Sequence, residues 1–171
     1  ENLGTIIADS GRVGIVGAIV RNKGGIAADQ VSRGADGRIF LKATKSVAIE
    51  QGSKISANGE RGGRIEVSAQ QGDVRVETGS ALTAIGSTSS GGTISLQSAQ
   101  GNVVVEPGAV VDASGVSGGS IQASAAQGQV YAGGTFAASA ARGGITPTSR
   151  TPLVLSSFTK IAATATPSEA E

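Results

Sequence analysis

The chain has 171 residues, a net charge of +1 and 27 glycines, and it contains no cysteine, histidine, methionine or tryptophan. Without cysteine or histidine there can be no disulfide, thiolate metal site, or Ser/His or Cys/His nucleophile. The near-zero charge gives no bulk attraction to nucleic acid or membrane, and no apolar run approaches the roughly 18–20 residues that span a bilayer. No cofactor or metal site is predicted. Because the first residue is not methionine, we expect a fragment or a processed product.

Residues 1–36 predict an irregular first coil, similar to the end of a secretion domain. Residues 3–8 are expected to be the tail of a preceding coil. Two apolar runs follow at residues 13–16 and 18–20, and residues 29–36 are polar, which predicts a turn or a small excursion.

Residues 37–143 predict a regular repeat, anchored on a glycine two residues before an aliphatic residue. The anchors are separated by 26, 26, 29, 27 and 24 residues and begin in the preceding segment: Gly11, Gly37, Gly63, Gly92, Gly119 and Gly143. Apolar residues alternate within short runs between the anchors, which is typical of strands and not of helices.

The same aliphatic positions recur in each copy and form columns. The first strand contributes Val13, Ile39, Ile65, Ile94, Ile121 and Ile145, followed by Ile15, Leu41, Val67, Leu96 and Ala123. The second contributes Val47/Ile49, Val74/Val76, Val103/Val105 and Val130/Ala132, and the third contributes Ile26/Ala28, Ile55/Ala57, Leu82/Ala84, Val111/Ala113 and Phe136/Ala138.

These columns predict an all-β fold, a parallel β-helix with three short strands per coil of about 24–29 residues. Each strand would pair with its equivalent one coil on, about 4.8 Å away. Turns that need a positive φ account for many of the glycines. The longest copy contains residues 85–90, which we interpret as a lengthened turn.

Residues 144–171 form a tail rich in Ser, Thr, Pro and Ala, punctuated by Pro147, Pro152 and Pro167. We expect a cap or a linker here, with one more strand at residues 153–155 or 158–161. An open coil end would expose unpaired backbone groups and favour end-to-end self-association.

Residues 63–125 resemble the repeat region of the filamentous haemagglutinin family, the secreted partner of bacterial two-partner secretion. The matching text is G-G-x-I-x-L at residues 91–96, G-N-V-V-V-E-P-G-A at 101–109 and V-D-A-S-G at 111–115. Residues 20–28 are similar to the V-x-N-x-G-x-I-x-A text at the end of the family's secretion domain. The N-P-N motifs of that domain are missing, which places this chain after it.

The resemblance implies a right-handed β-helix, export through an outer-membrane two-partner secretion transporter, and a place on the bacterial surface or in the medium. It implies an adhesin or its stalk, not an enzyme, with host-cell or matrix polysaccharide as a partner and no nucleic acid or membrane insertion. Two other functions stay open from the residues. One is a polysaccharide-degrading β-helix enzyme, and the other is a self-assembling filament scaffold.

Arg12, Arg38 and Arg64 occupy the same place in three successive copies and would stack into a basic stripe. The functional interpretation is a contact for an anionic glycan or another polyanion. The alternative is a solvated outer face relieved by neighbouring carboxylates, which we favour because surface charge runs usually have no ligand.

Glu50, Glu77 and Glu106 form an acidic column after the second strand. Such carboxylates could hold Ca²⁺, but the Gly/Asp nonapeptide of calcium-binding β-rolls is absent, which favours solvated turn carboxylates. Asp112 is interpreted as a turn residue whose side chain bonds nearby N–H groups. Tyr131 is predicted to face outward and is the one aromatic proposed to reach a sugar.

Overall fold

The structure is a computed structural model that describes residues 1–9, 11–29 and 37–138 in full, and residues 144–149, 154–155 and 160–162 as strands. Within these residues it is all β, with parallel strands stacked as a β-helix, which confirms the predicted fold class. None of the described residues belongs to a helix long and apolar enough to cross a bilayer. Of the polar turn or excursion predicted for residues 29–36, residues 30–36 lie outside the described residues.

The strands follow one another with short corners between them. In chain order they are β1 Thr5–Ile7, β2 Arg12–Asn22, β3 Gly25–Ala27, β4 Arg38–Ile49, β5 Lys54–Ser56, β6 Arg64–Ala69, β7 Val74–Val76, β8 Ala81–Thr83, β9 Thr93–Ser98, β10 Val103–Val105, β11 Val110–Asp112, β12 Ser120–Ala125, β13 Val130–Ala132, β14 Thr135–Ala137, β15 Gly144–Ser149, β16 Val154–Leu155 and β17 Lys160–Ala162.

Every strand pairs in parallel with its equivalent in the next turn. The third strands form one sheet in the order β1-β3-β5-β8-β11-β14-β17. The first and second strands form another, because β4 continues around the corner and joins the two faces. In the two earliest turns, β2 and β4 each combine two strands that the repeat pattern separates, whereas from β6 onward each turn has three short strands.

The predicted columns are confirmed as the core where burial is described, except that Ile15 is only partly buried; Ile145 pairs with Ile121, and its burial lies outside the description. Val13, Ile39, Ile65, Ile94 and Ile121 pair one above the other and are all buried. In the last fully described turn, Phe136 is buried next to Val111, while Ala123 and Ala132 replace the Leu96 and Val105 of the turn before. Because strands are about 4.8 Å apart, every inward side chain contacts its counterparts above and below.

One corner repeats as the same β-turn. Gly52, Gly79 and Gly108 have φ of 77°, 74° and 83°, and each turn closes with an N–H to carbonyl bond of 3.1 Å, as from Ala109 to Glu106. This is the type II geometry, which requires a positive φ at its third residue and favours proline at its second, where Pro107 lies. The corner therefore explains both the spacing of these glycines and the E-P-G-A text.

Most of the remaining glycines are not explained by turns that need a positive φ. Among the described residues, Gly118 is the only further glycine with a positive φ. The anchor glycines instead sit where turns approach closely: a Cβ at Gly37, Gly63 or Gly92 would lie 1.6–2.1 Å from a carbonyl oxygen. The expectation that positive φ accounts for many glycines was wrong, since close backbone contact is the commoner cause.

Side chains at the corners bond to the backbone of the adjacent turn. Asn102 N donates to Asp73 Oδ1 at 2.7 Å, and Gln129 N donates to Asn102 Oδ1 at 2.9 Å. Asn58 forms the equivalent link at another corner, accepting from Ile85 N at 2.8 Å. These bonds satisfy N–H groups that leave the strand ladder at the corners.

The lengthened turn is confirmed: residues 84–92 separate β8 from β9, whereas residues 57–63 separate β5 from β6. Backbone bonds hold it to its neighbours, from Ser87 N to Gly59 O at 2.8 Å and from Val116 N to Ser89 O at 2.7 Å.

The first turns carry an irregularity and an open edge. The pairing of β2 with β4 shifts register between Gly17 and Ile19, and Val16 and Ile19 project into solvent. The predicted tail of a preceding coil is present as β1, which pairs in parallel with β3. At the other end β15, β16 and β17 continue the pairing of β12, β13 and β14, so strands of a further turn lie within the predicted tail.

Replacing Ser53 by alanine is expected to leave stability unchanged or to raise the free energy of unfolding by up to about 1 kcal/mol. Its hydroxyl is buried with no hydrogen-bond partner, and Ala109 fills the same corner position two turns on. The matched variant Ser80→Ala should lower the free energy of unfolding by about 1 kcal/mol, since Ser80 Oγ donates to Glu77 O. Urea unfolding of both variants measures the difference, and a destabilised Ser53→Ala would contradict this account.

Candidate functional site

The arginine column lies on the outer face of the first strands. Arg12 pairs with Arg38, and Arg38 with Arg64, so the three side chains leave consecutive strands at the same register position. All three are exposed. Adjacent Cα atoms are therefore about one strand spacing, roughly 4.8 Å, apart.

Two adjoining hollows surround this column. The first, of about 230 Å³, is lined by Arg12, Arg38, Ile39, Phe40, Lys42, Arg64 and Glu66. The second, of about 240 Å³, is lined by Arg38, Arg61, Arg64, Ser90, Thr93 and four glycines. Because Arg38 and Arg64 border both, the hollows form one concave surface beside the column.

Within the described residues, the three arginines of the column have no neighbouring carboxylate as an ion-pair partner. Glu66 is near, but its carboxylate lies 3.6 Å from Lys42 Nζ, and none of the three arginines forms an ion pair with a described residue. Two unit charges 4.8 Å apart in water repel by about 1 kcal/mol. The carboxylate of Glu66 thus pairs with Lys42, and the arginine column has no carboxylate partner among the residues that the structure describes.

Phe40 belongs to the same surface and is not among the site residues predicted from the sequence. A Cβ at Gly14 would lie 2.2 Å from Phe40 Cζ, so the ring rests against the backbone of β2 where only glycine leaves room. The ring is half-buried, and Lys42 Nζ lies 5.8 Å from its centroid. The signal was available, since Ile39 and Leu41 are predicted inward and Phe40 must then face outward.

The acidic column is engaged in structural contacts. Glu50 Oε1 lies 2.7 Å from Arg21 Nε, and Glu106 Oε1 lies 3.3 Å from Arg75 Nη1. The backbone N–H groups of the preceding turn donate to this column as well, from Gln51 to Glu77 Oε2 at 3.1 Å and from Thr78 to Glu106 Oε2 at 3.2 Å. These carboxylates therefore link successive turns at the type II corner.

Asp112 and Tyr131 lie where the sequence predicts. Asp112 Oδ1 accepts the N–H of Ser114 at 2.8 Å, which confirms the turn interpretation. Tyr131 faces outward on β13, and its hydroxyl donates to Gln129 Oε1. Neither residue adjoins the arginine column.

A third hollow of about 430 Å³ contains two acidic side chains, Asp29 and Glu60, beside Asn58. Both oxygens of Asp29 accept hydrogen bonds, from Asn58 N at 2.7 Å and from Ser56 Oγ at 3.0 Å. Across the described ranges no three acidic side chains come together as a metal ion would need. The geometry gives Asp29 a structural role at this corner.

Comparison with known proteins adds no relative. No protein-family model matches the chain, and neither the curated proteins nor the solved structures contain a match. The likeness to the filamentous haemagglutinin family thus depends on the repeat text in this sequence.

Proposed function

We propose that this chain is a segment of a secreted bacterial surface adhesin, in which the β-helix acts as a stalk or as an adhesive surface. The observation that carries the proposal is the uninterrupted inner ladder, in which Ile39, Ile65, Ile94 and Ile121 pair turn upon turn. Such an architecture extends by about 4.8 Å per turn and presents long, regular outer faces. The resemblance of residues 91–115 to the repeats of filamentous haemagglutinins is the reason for proposing a secreted adhesin.

The proposed partners follow from the family. An outer-membrane two-partner secretion transporter would export the chain, and a host-cell or matrix polysaccharide would be bound at the surface. A chain without cysteine fits this route, because no disulfide can form before an unfolded polypeptide crosses the membranes. The proposed location is the bacterial surface or the medium.

The test is surface location in the bacterium that makes the protein. Antibodies raised against residues 37–138 are expected to label intact cells, and deletion of the partner transporter should abolish labelling and reduce attachment to polysaccharide-coated surfaces. Labelling only after the cells are permeabilised would contradict the proposal.

A self-assembling filament scaffold is the second candidate, and exposed apolar side chains on the first strands favour it. Leu3, Ile7, Val16 and Ile19 are exposed apolar residues, and β1 and β2 are edge strands among the described strands. Unpaired edges of this kind promote association. Filaments of purified protein under the electron microscope, together with a cytosolic location, would support the scaffold in place of the adhesin.

The polysaccharide-degrading enzyme is distinguished by its products. Release of reducing ends or unsaturated sugars from an acidic polysaccharide, lost in Asp29→Asn or Glu60→Gln, would support the enzyme in place of a binding rod.

A further inference from the structure

We infer that the concave surface formed by Arg12, Arg38, Arg64 and Phe40 binds a linear anionic polysaccharide, with its acidic groups on the arginine column and a sugar ring on Phe40. The inference rests on the proposed adhesive function and deepens it by naming the ligand class and the residues. It differs from the stripe predicted by sequence because an aromatic platform is part of the site.

The charge pattern selects a repeating anion. Three guanidinium groups leave consecutive strands in register and have no ion pair with a described residue, and the nearby carboxylate of Glu66 lies against Lys42. A guanidinium binds the oxygens of an acidic group in a bidentate manner. Because the column runs perpendicular to the strands, a ligand that engages all three must itself be extended along the rod, with acidic groups at regular intervals.

The neutral part of the surface selects a sugar. The far edge of the Phe40 ring (Cζ, Cε1 and Cε2) lies against Gly14, and the half-buried ring lines the same hollow as Arg12 and Arg38. The adjoining hollow supplies the hydroxyls of Ser90 and Thr93 beside Arg38. A pyranose ring combines an apolar face with hydroxyl groups, so both hollows fit one carbohydrate chain.

A nucleic acid fits this surface less well. Single strands are bound by successive aromatic platforms, whereas the described lining of these hollows contains one aromatic ring. Duplexes are attracted by a large excess of positive charge, and the net charge of this chain is +1.

The site ends after three turns. Thr93 follows Arg64 in register, and Ser120 follows Thr93, so the column of positive charge stops at Arg64 while the sheet continues. The outermost arginines are about 10 Å apart, two strand spacings. The site therefore engages a short segment of a longer chain, and a fourth arginine can be added without changing the fold.

The loss-of-function test is equilibrium binding of the purified full chain to fluorescent dextran sulfate and to polygalacturonate, at two salt concentrations. Each of Arg12→Gln, Arg38→Gln and Arg64→Gln is expected to weaken binding about two- to fivefold and to reduce its salt dependence. The triple variant should lose the salt-dependent component. Arg75→Gln removes the same charge from another face and should bind as the parent does.

Phe40 is tested separately. Phe40→Ala should weaken binding of both polysaccharides several-fold while the salt dependence stays that of the parent, because no charge is removed. Tyr131→Ala, which removes an outward aromatic on β13, is the matched control and should have no effect. Comparing the two polysaccharides separates preference for sulfate from preference for carboxylate.

A gain-of-function variant completes the test. Thr93→Arg extends the column by one turn and should tighten binding about two- to fivefold with a steeper salt dependence. Ser120→Arg leaves a gap of one turn and should gain less.

Several outcomes would overturn the inference. They are polysaccharide binding that survives the triple substitution, binding that falls equally in Arg75→Gln, and tighter binding of duplex DNA than of dextran sulfate through the same arginines. These measurements use purified protein and are therefore independent of the cell-labelling test. If surface labelling fails but the purified protein binds polysaccharide, the adhesin proposal is rejected and the binding site stands. If labelling succeeds but the purified protein does not bind, the binding site is rejected and the surface location stands.

Discussion

Replacing Ile94 by aspartate is expected to unfold the middle turns of the β-helix. Ile94 is completely buried, and its strand partners are Ile65 on one side and Ile121 on the other. A carboxylate at this position has only aliphatic neighbours in the column, and an ionised group without a partner costs several kcal/mol to bury. Because each turn is stabilised mainly by the turns next to it, the loss should spread to β6 and β12.

Thermal unfolding followed by far-UV circular dichroism measures this effect. The control is Gln97→Asp, which places the same residue on the exposed side of the same strand and should change the melting temperature by only a few degrees. Ile94→Val keeps the column apolar and should cost about 0.5–1.5 kcal/mol. An Ile94→Asp variant with the β-type spectrum and melting temperature of the parent would refute the inward orientation of this column.

The buried core could be predicted from the sequence because every copy of the repeat has the same alternation of apolar and polar residues. A single alternation such as Thr93 to Leu96 is ambiguous, but the same alternation in five copies identifies the inward face and the register together. Buried positions as far apart as Val13 and Ala138 were predicted in this way and are confirmed.

The exceptions occur where a residue departs from its column. Asn22 is buried at the position that Ile49 holds one turn on, and it is satisfied by Asn2 Nδ2, which donates to Asn22 Oδ1 at 2.8 Å. A partner twenty residues away leaves no local pattern in the sequence. Val16 and Ile19 are apolar but exposed, at outward register positions opposite Lys42 and Ser46, a placement that a continuous apolar run does not reveal.

The candidate binding site was predictable only in part. The register of Arg12, Arg38 and Arg64 follows from the repeat, but whether Glu66 pairs with them or with Lys42 depends on where its flexible side chain lies. The same holds for Phe40, whose outward direction follows from alternation, whereas its contact with β2 requires the close approach at Gly14. The arginine column can therefore be predicted from the spacing of the repeats, whereas the hollows beside it can be recognised only when the side chains have been placed.

Replacing Gly92 by alanine is the second change expected to have a large effect. The added Cβ would lie 2.1 Å from Gly63 O and 2.8 Å from Ala84 Cβ. Gly63 O cannot easily move, because it accepts the N–H of Thr93 at 2.9 Å, and Gly92 N donates to Ala84 O at 2.7 Å. Overpacking of this kind costs about 1–3 kcal/mol, and a rigid backbone neighbour places the expected loss at the upper end.

A loss of about 3 kcal/mol corresponds to a fall in melting temperature of roughly 6–12 °C for a chain of this size. Gly25→Ala is the matched control, since its Cβ would meet nothing closer than 3.5 Å and β3 already has extended backbone. If Gly92→Ala and Gly25→Ala melt together, the anchor glycines would not be fixed by contact between turns. If only Gly92→Ala is destabilised, the glycine that marks each copy in the sequence is required because the backbone of the preceding turn occupies the place of a side chain.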